Sequence, residues 1–97
     1  MREVYYHPKV PIEAREIYRF YRDVSEALAE AFWEELEAHI DYARRHPKRH
    51  HFDRTRLRRS NLKRFPIHFL FREFPDYIRI TVVRHDTRHP GYGAGRR

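Results

Sequence analysis

The stretch IHFLFREFPDYIRITVVRH, residues 67–85, decides the fold. Two runs rich in β-branched and aromatic residues, Ile67–Phe74 and Tyr77–His85, flank Pro75 and Asp76, a pair suited to a tight turn. A two-residue loop there makes Phe74 face Tyr77, Arg72 face Arg79, Phe71 face Ile80 and Phe69 face Val82. Alternation then puts Ile67, Phe69, Phe71, Ile78, Ile80 and Val82 on one side. The other side carries His68, Leu70, Arg72, Tyr77, Arg79, Thr81, Val83 and His85, while Arg84 falls on the apolar side. That apolar side needs a cover, because each such side chain contributes roughly 1.5–3 kcal/mol when buried.

The cover lies upstream. Arg2–His7 (REVYYH) has the composition of a short strand. Pro8 and Pro11 suit a helix entry, where a missing N–H costs little. Ile17, Phe20, Tyr21 and Val24 follow helical spacing, so a helix is expected from about Pro11 to Asp23. Ser25 can cap a second helix, with Glu26 and Glu30 near its positive end. Leu28, Phe32, Leu36, Ile40 and Ala43 make its apolar stripe, Arg44, Arg45 and His46 sit at its negative end, and Pro47 stops it. A tight connection near Val24 and Ser25 makes the two helices an antiparallel hairpin, with Trp33 either closing the edge of its core or meeting a partner. Residues 46–55 form a polar loop. Residues 56–63 are a weak strand candidate, because Arg58 and Arg59 interrupt the alternation. The expected fold is therefore α+β: an N-terminal strand, an antiparallel helical hairpin, then a three-stranded antiparallel sheet packed on the hairpin. Residues 1–97 make one domain, and the Gly-rich end, 91–97, is expected to fray.

Composition narrows the function classes. With 40% apolar residues, seven Phe and seven Tyr, a core is within reach, which argues against disorder despite 36% charged residues. There is no cysteine, so no disulfide or thiolate chemistry. No run is long enough to span a membrane and no signal-peptide core is present, so a cytoplasmic location is expected. The net charge of +7 is unevenly spread. Residues 8–41 hold four basic against nine acidic residues, and residues 42–97 hold sixteen against four. A basic surface on a small sheet meets something acidic, either nucleic acid or a protein segment.

The eight histidines do not add up to a metal site. His85 and His89 lie at a strand end and beyond it, and His50 and His51 are adjacent in a loop, with no cysteine or acidic cluster beside them. His7-Pro8, His46-Pro47 and His89-Pro90 mark element ends. Gly91, Gly93 and Gly95 follow the last strand with no helix after them, so they do not form a phosphate loop. No metal or cofactor is expected.

An ordered set of short patterns carries a family resemblance. It comprises Tyr6-His7-Pro8, Ala31-Phe32 and Leu36-Glu37, His46-Pro47, Leu57-Arg58-Arg59, Lys63-Arg64-Phe65-Pro66, Ile78-Arg79-Ile80, Val83-Arg84-His85, then Arg88 and Pro90. In this order and spacing, over nearly the whole length, the chain resembles the RelE/ParE superfamily, the toxins of type II toxin–antitoxin pairs. Two positions depart from the common pattern: Ile67 stands where a Tyr often follows Phe-Pro, and Gly93 stands where a Trp is common after Tyr92. The resemblance implies an acidic antitoxin whose flexible tail wraps the toxin and folds on binding.

The superfamily divides by activity. ParE-like members inhibit DNA gyrase by binding. The Leu57–Pro66 segment and the Arg84–Pro90 run resemble this branch, which makes Arg58, Arg59, Arg72, Arg79, His85 and Arg88 the expected binding residues for antitoxin or target. RelE-like members cut mRNA on the ribosome, which requires proton transfer and cations for phosphate. Under that alternative His85 and Tyr92 are the proton-transfer candidates, with Arg59, Arg72, Arg79 and Arg84 as the phosphate binders. A third reading is a basic RNA-binding module without toxicity, in which exposed aromatics stack on bases.

Overall fold

In the computed structural model, residues 2–97 are described. Strand β1 (Glu3–Tyr6) leads into helix α1 (Val10–Arg22) and helix α2 (Glu26–Arg45). A short 3₁₀ turn (Pro47–Arg49) precedes strands β2 (Arg58–Asn61), β3 (Ile67–Glu73) and β4 (Tyr77–His85). Local chemistry sets the helix ends. Pro11 occupies the first turn of α1, and the Ser25 hydroxyl accepts the Leu28 N–H at 3.0 Å to cap α2. His46 closes α2, and Pro47 prevents its continuation.

The sheet departs from the three-stranded antiparallel arrangement expected above. It has four strands in the order β1-β4-β3-β2, and β1 lies parallel to β4, with Glu3 opposite Tyr77 and Tyr6 opposite Ile80. The physical reason is the outer edge of β4. The β3–β4 hairpin uses only one edge of β4, and the first strand satisfies the other: Glu3 N–H donates to Asp76 O at 3.1 Å and His7 N–H to Ile80 O at 2.8 Å.

The helices cover one side of this sheet. Val10 and Ala14 from α1 and Phe32, Leu36 and Ala43 from α2 meet Ile67, Phe69, Phe71, Ile78, Ile80 and Val83. Phe65 joins them, 4.9 Å from the Tyr21 ring and 5.7 Å from the Phe32 ring. Trp33 packs against the edge of this core. Phe20 and Val24, expected on the apolar stripe of α1, are 67% and 69% exposed, and Val10 and Ala14 pack there instead.

A bulge interrupts the β3–β4 register. Arg72 opposes Arg79 and Phe71 opposes Ile80, but Leu70 opposes Val82, leaving Thr81 as the extra residue. Phe69 therefore faces Val83, not Val82. Beyond Thr81 every side chain of β4 lies on the side opposite to the one alternation predicts. Val83 joins the helix-covered core, whereas Val82 joins Leu57 and Leu70 under Tyr92 on the other side. His85 moves to the helix side, beside Glu16, Ile17 and Phe20, and Arg84 moves to the open side, opposite His68.

The outer edge of β4 beyond His7 is satisfied by two side chains. Val83 N–H donates to Glu13 Oε1 at 3.2 Å, and the Arg96 guanidinium donates to Thr81 O at 3.2 Å. Arg96 also meets Glu13 Oε2 at 2.7 Å, so the C-terminal segment is pinned to α1. Segment 91–97, read above as a frayed end, passes over the open sheet side. Gly93, at φ +76°, lies so near Val82 that a Cβ there would fall 2.8 Å from its side chain.

Candidate binding surface on the open sheet face

Three zones divide the open face. At the turn end, Arg72 and Arg79 lie directly opposite each other, as expected from the hairpin register. Arg72 is exposed, and Arg79 donates to the backbone oxygen of Arg97 at 2.8 Å. In the middle, Tyr92 covers Leu57, Leu70 and Val82. At the far end a polar network fills a cleft of about 290 Å³.

That network is built on β2, β3 and β4 together. His68 and Arg84 form its floor and are 1% and 4% exposed. Arg84 Nε–H donates to His68 Nε2 at 2.9 Å, and His68 Nδ1 lies 2.7 Å from Asp86 Oδ1. A guanidinium has only donors, so Nε2 must be the unprotonated nitrogen and the proton sits on Nδ1, facing Asp86. His68 is thereby held neutral. Burial pulls its pKa below the ordinary histidine value, Asp86 opposes that pull, and the Arg59 and Arg84 charges add to it. Arg84 also donates to the carbonyls of Pro90 at 2.9 Å and Tyr92 at 2.6 Å. Burial lowers its pKa, with Asp53 acting in the opposite sense. Arg59 bridges the two carboxylates, 3.5 Å from Asp53 and 3.6 Å from Asp86. Arg54 and Arg88 line the rim, so four guanidinium groups face two carboxylates. The Arg88 guanidinium carbon sits over the Tyr92 ring, 4.0 Å from its centre.

The expected binding residues do not form one patch. Arg59 and Arg88 meet in this cleft. Arg72 and Arg79 lie at the other end of the β3–β4 hairpin. Arg58 turns to the helix side as a brace: it pairs with Glu73 at 3.1 Å, donates to His50 O at 2.8 Å and covers the Phe52 ring at 4.3 Å. His85 is on the helix side too, where its Nδ1 accepts the Thr87 N–H at 3.1 Å. His7 and His89 accept the N–H two residues on in the same way, at 3.1 and 2.9 Å. These three histidines shape turns.

The three residues proposed for nuclease chemistry are likewise dispersed. Arg72 lies opposite Arg79, six residues from His85, or roughly 20 Å at the rise of an extended strand. Tyr92 is on the opposite side of the sheet from His85. His68, the histidine on the open face, has both ring nitrogens engaged. Alternation misplaced Arg84 by one residue, and Asp53 and Asp86, which offset part of the cleft's positive charge, carried no sequence signal beyond their position beside arginines.

A second groove of about 710 Å³ runs between α2 and the outer edge of β2, where His39, Tyr42, His51, Phe52, Lys63 and Arg64 line it. Arg59 N–H points outward there, to His51 O at 2.9 Å. Strand alternation turns the Asn61 N–H the same way, toward the groove.

No family model matches this chain, and no match was found among curated proteins.

Proposed function

We propose that the chain is the toxin of a type II toxin–antitoxin pair, that an acidic antitoxin neutralises it in the cytoplasm, and that it acts by docking on DNA gyrase. The observation that carries the binding mode is the dispersal of His85, Tyr92 and Arg72, together with a His68 ring that has no free lone pair to accept a proton. The α+β architecture, a helical hairpin on a sheet, agrees with the family resemblance in its coarse outline. A basic cleft on the open face, and the groove beside β2 where the Asn61 N–H faces outward, suit an acidic chain that extends the edge and places carboxylates on arginines.

The deciding experiment adds purified protein to gyrase, ATP and relaxed plasmid, and reads supercoiling and trapped cleavage on a gel. Loss of supercoiling or accumulation of cut plasmid is the expected result. Intact supercoiling with folded protein at micromolar concentration sinks the gyrase reading. Cleavage of mRNA on programmed ribosomes would then establish the nuclease alternative, for which the Arg-rimmed cleft around His68 is the place to substitute first.

A further inference from the structure

Strand β1 forms one edge of the sheet, and its outer side is open. The Glu3 and His7 N–H groups point inward, to Asp76 O at 3.1 Å and Ile80 O at 2.8 Å. Alternation therefore turns the N–H and C=O of Val4 and Tyr6 outward. Among the described residues no hydrogen bond reaches these groups from the outer side. The edge is capped one step earlier, where Arg44 donates to the Arg2 carbonyl at 3.4 Å. Two large aromatics flank the open stretch. Tyr5 lies on the open side of the sheet, its ring edge-on to Tyr77 at 5.1 Å, and Tyr6 lies on the helix side with Val4. They are 48% and 44% exposed, high values for rings on so short a strand.

We infer that β1 pairs with β1 of a second copy of this chain, antiparallel about a two-fold axis through Tyr5, so that two four-stranded sheets join edge to edge. A strand can pair with itself only where outward residues oppose outward residues. An axis through Val4 sets Tyr6 against the second copy's Arg2, whose carbonyl Arg44 already holds. An axis through Tyr6 sets Val4 against Pro8, which has no N–H. An axis through Tyr5 sets Val4 against Tyr6 on both sides, and every outward N–H finds a carbonyl. The same register brings Tyr5 against Tyr5 and Glu3 against His7. His7 Nδ1 accepts the Lys9 N–H at 3.1 Å, so the neutral ring carries its proton on Nε2, free to donate to a carboxylate. Charge separates a second copy from other occupants. Glu3 is exposed on this edge, Asp76 lies beside Tyr5 and Glu37 beside Tyr6, so a phosphate backbone or an acidic segment meets their carboxylates. The axis is normal to the sheet, which leaves both open faces on the same side, and the pairing is independent of what those faces bind.

The chain has no cysteine, so a single introduced thiol reports the register. Directly opposed residues of a non-hydrogen-bonded pair lie about 4.5 Å apart at Cα, within disulfide reach. Tyr5→Cys in a glutathione redox buffer should therefore give a disulfide-linked dimer on a non-reducing gel. Glu3→Cys places its two thiols four residues, or roughly 13 Å, apart and should stay monomeric. Phe20→Cys, exposed on α1, controls for random collision. Equal cross-linking of all three overturns the inference. Sedimentation equilibrium of the unmodified chain should show a monomer–dimer equilibrium with Kd on the order of 100 µM, as suits an interface at the small end of the size range. Val4→Pro removes one outward N–H and no bond to β4, so it should weaken association about tenfold or more while circular dichroism and thermal unfolding stay unchanged. Tyr5→Lys, which opposes like charges on the axis, should give the same loss by a second route. A chain that stays monomeric up to about 1 mM overturns the inference. So does a dimer that neither substitution weakens, which would place the contact elsewhere on the molecule.

Discussion

His68 couples the open face to pH. Its folded-state pKa lies below the ordinary value of about 6.5. Above that value the ring is neutral in both folded and unfolded chains. As pH falls below about 6.5 the unfolded chain takes a proton that the folded chain refuses, so stability declines until the folded pKa is reached. Protonation would also set a second donor against Arg84 Nε–H, 2.9 Å away, while Asp86 and Arg59 face the ring from the other side. His50 is shifted the same way by burial, so the His68 share must be isolated by substitution. We expect the urea midpoint of the native chain to fall more between pH 7.5 and 5.5 than that of His68→Gln. Parallel losses in the two proteins would remove His68 from the account. Arg84→Ala should cost about 1–3 kcal/mol in urea unfolding, because it leaves His68 Nε2 and the Pro90 and Tyr92 carbonyls without their donor, while Asp53 keeps Arg59. A cost below 1 kcal/mol would show that water replaces the guanidinium.

At the scale of elements, the bulge at Thr81 and the strap that follows β4 act together. Gly93→Ala meets two penalties: a left-handed backbone that costs about 1 kcal/mol for a residue with a Cβ, and a contact 2.8 Å from Val82. The expected loss is about 1–3 kcal/mol. Val82→Gly in the same chain should restore part of it, because it removes both the Cβ and the Cγ2 that lie 2.8 Å from the new methyl, and thermal unfolding of the four proteins in the cycle measures this coupling. Strictly additive losses would mean that Gly93 is needed only for its φ. Most element positions were legible in sequence, because the capping serine, the prolines and the alternating runs each have a local cause. Two features were not. The pairing of β1 with β4 is a backbone bond between distant segments and leaves no periodic trace in Val4–Tyr6. The bulge falls at a threonine, which carries none of the backbone freedom that glycine would signal. A straight alternation through Thr81 therefore misassigned Val82, Val83, Arg84 and His85 together, and the candidate site built on His85 went with them.

For the molecule as a whole, charge placement works against stability on the open face. Arg72 and Arg79 are like charges in directly opposed positions, an arrangement that costs a few tenths of a kcal/mol or more. Arg72→Glu should therefore raise stability by about 0.5 kcal/mol while weakening capture of an acidic partner. Opposite signs in unfolding and binding assays would show that the pair is kept for recognition. Equal signs would make it an incidental surface feature. The basic character of this side was legible from composition, but its division into a turn-end pair, a covered middle and a partly neutralised far cleft depended on Asp53 and Asp86. Those residues reach the arginines only through the tertiary fold.

The parallel edge strand also sets an order of events during synthesis. Tyr6 pairs with Ile80, and Glu13 pairs with Arg96. The first strand to leave the ribosome must wait for the last one before its hydrogen bonds exist. Closing so long a loop is slow and costs entropy that only the finished hairpin repays. A partly translated chain can fold its helices, but its sheet stays open and its Glu13 carboxylate has no partner. Whatever the completed face binds, it can bind only after β4 has been made.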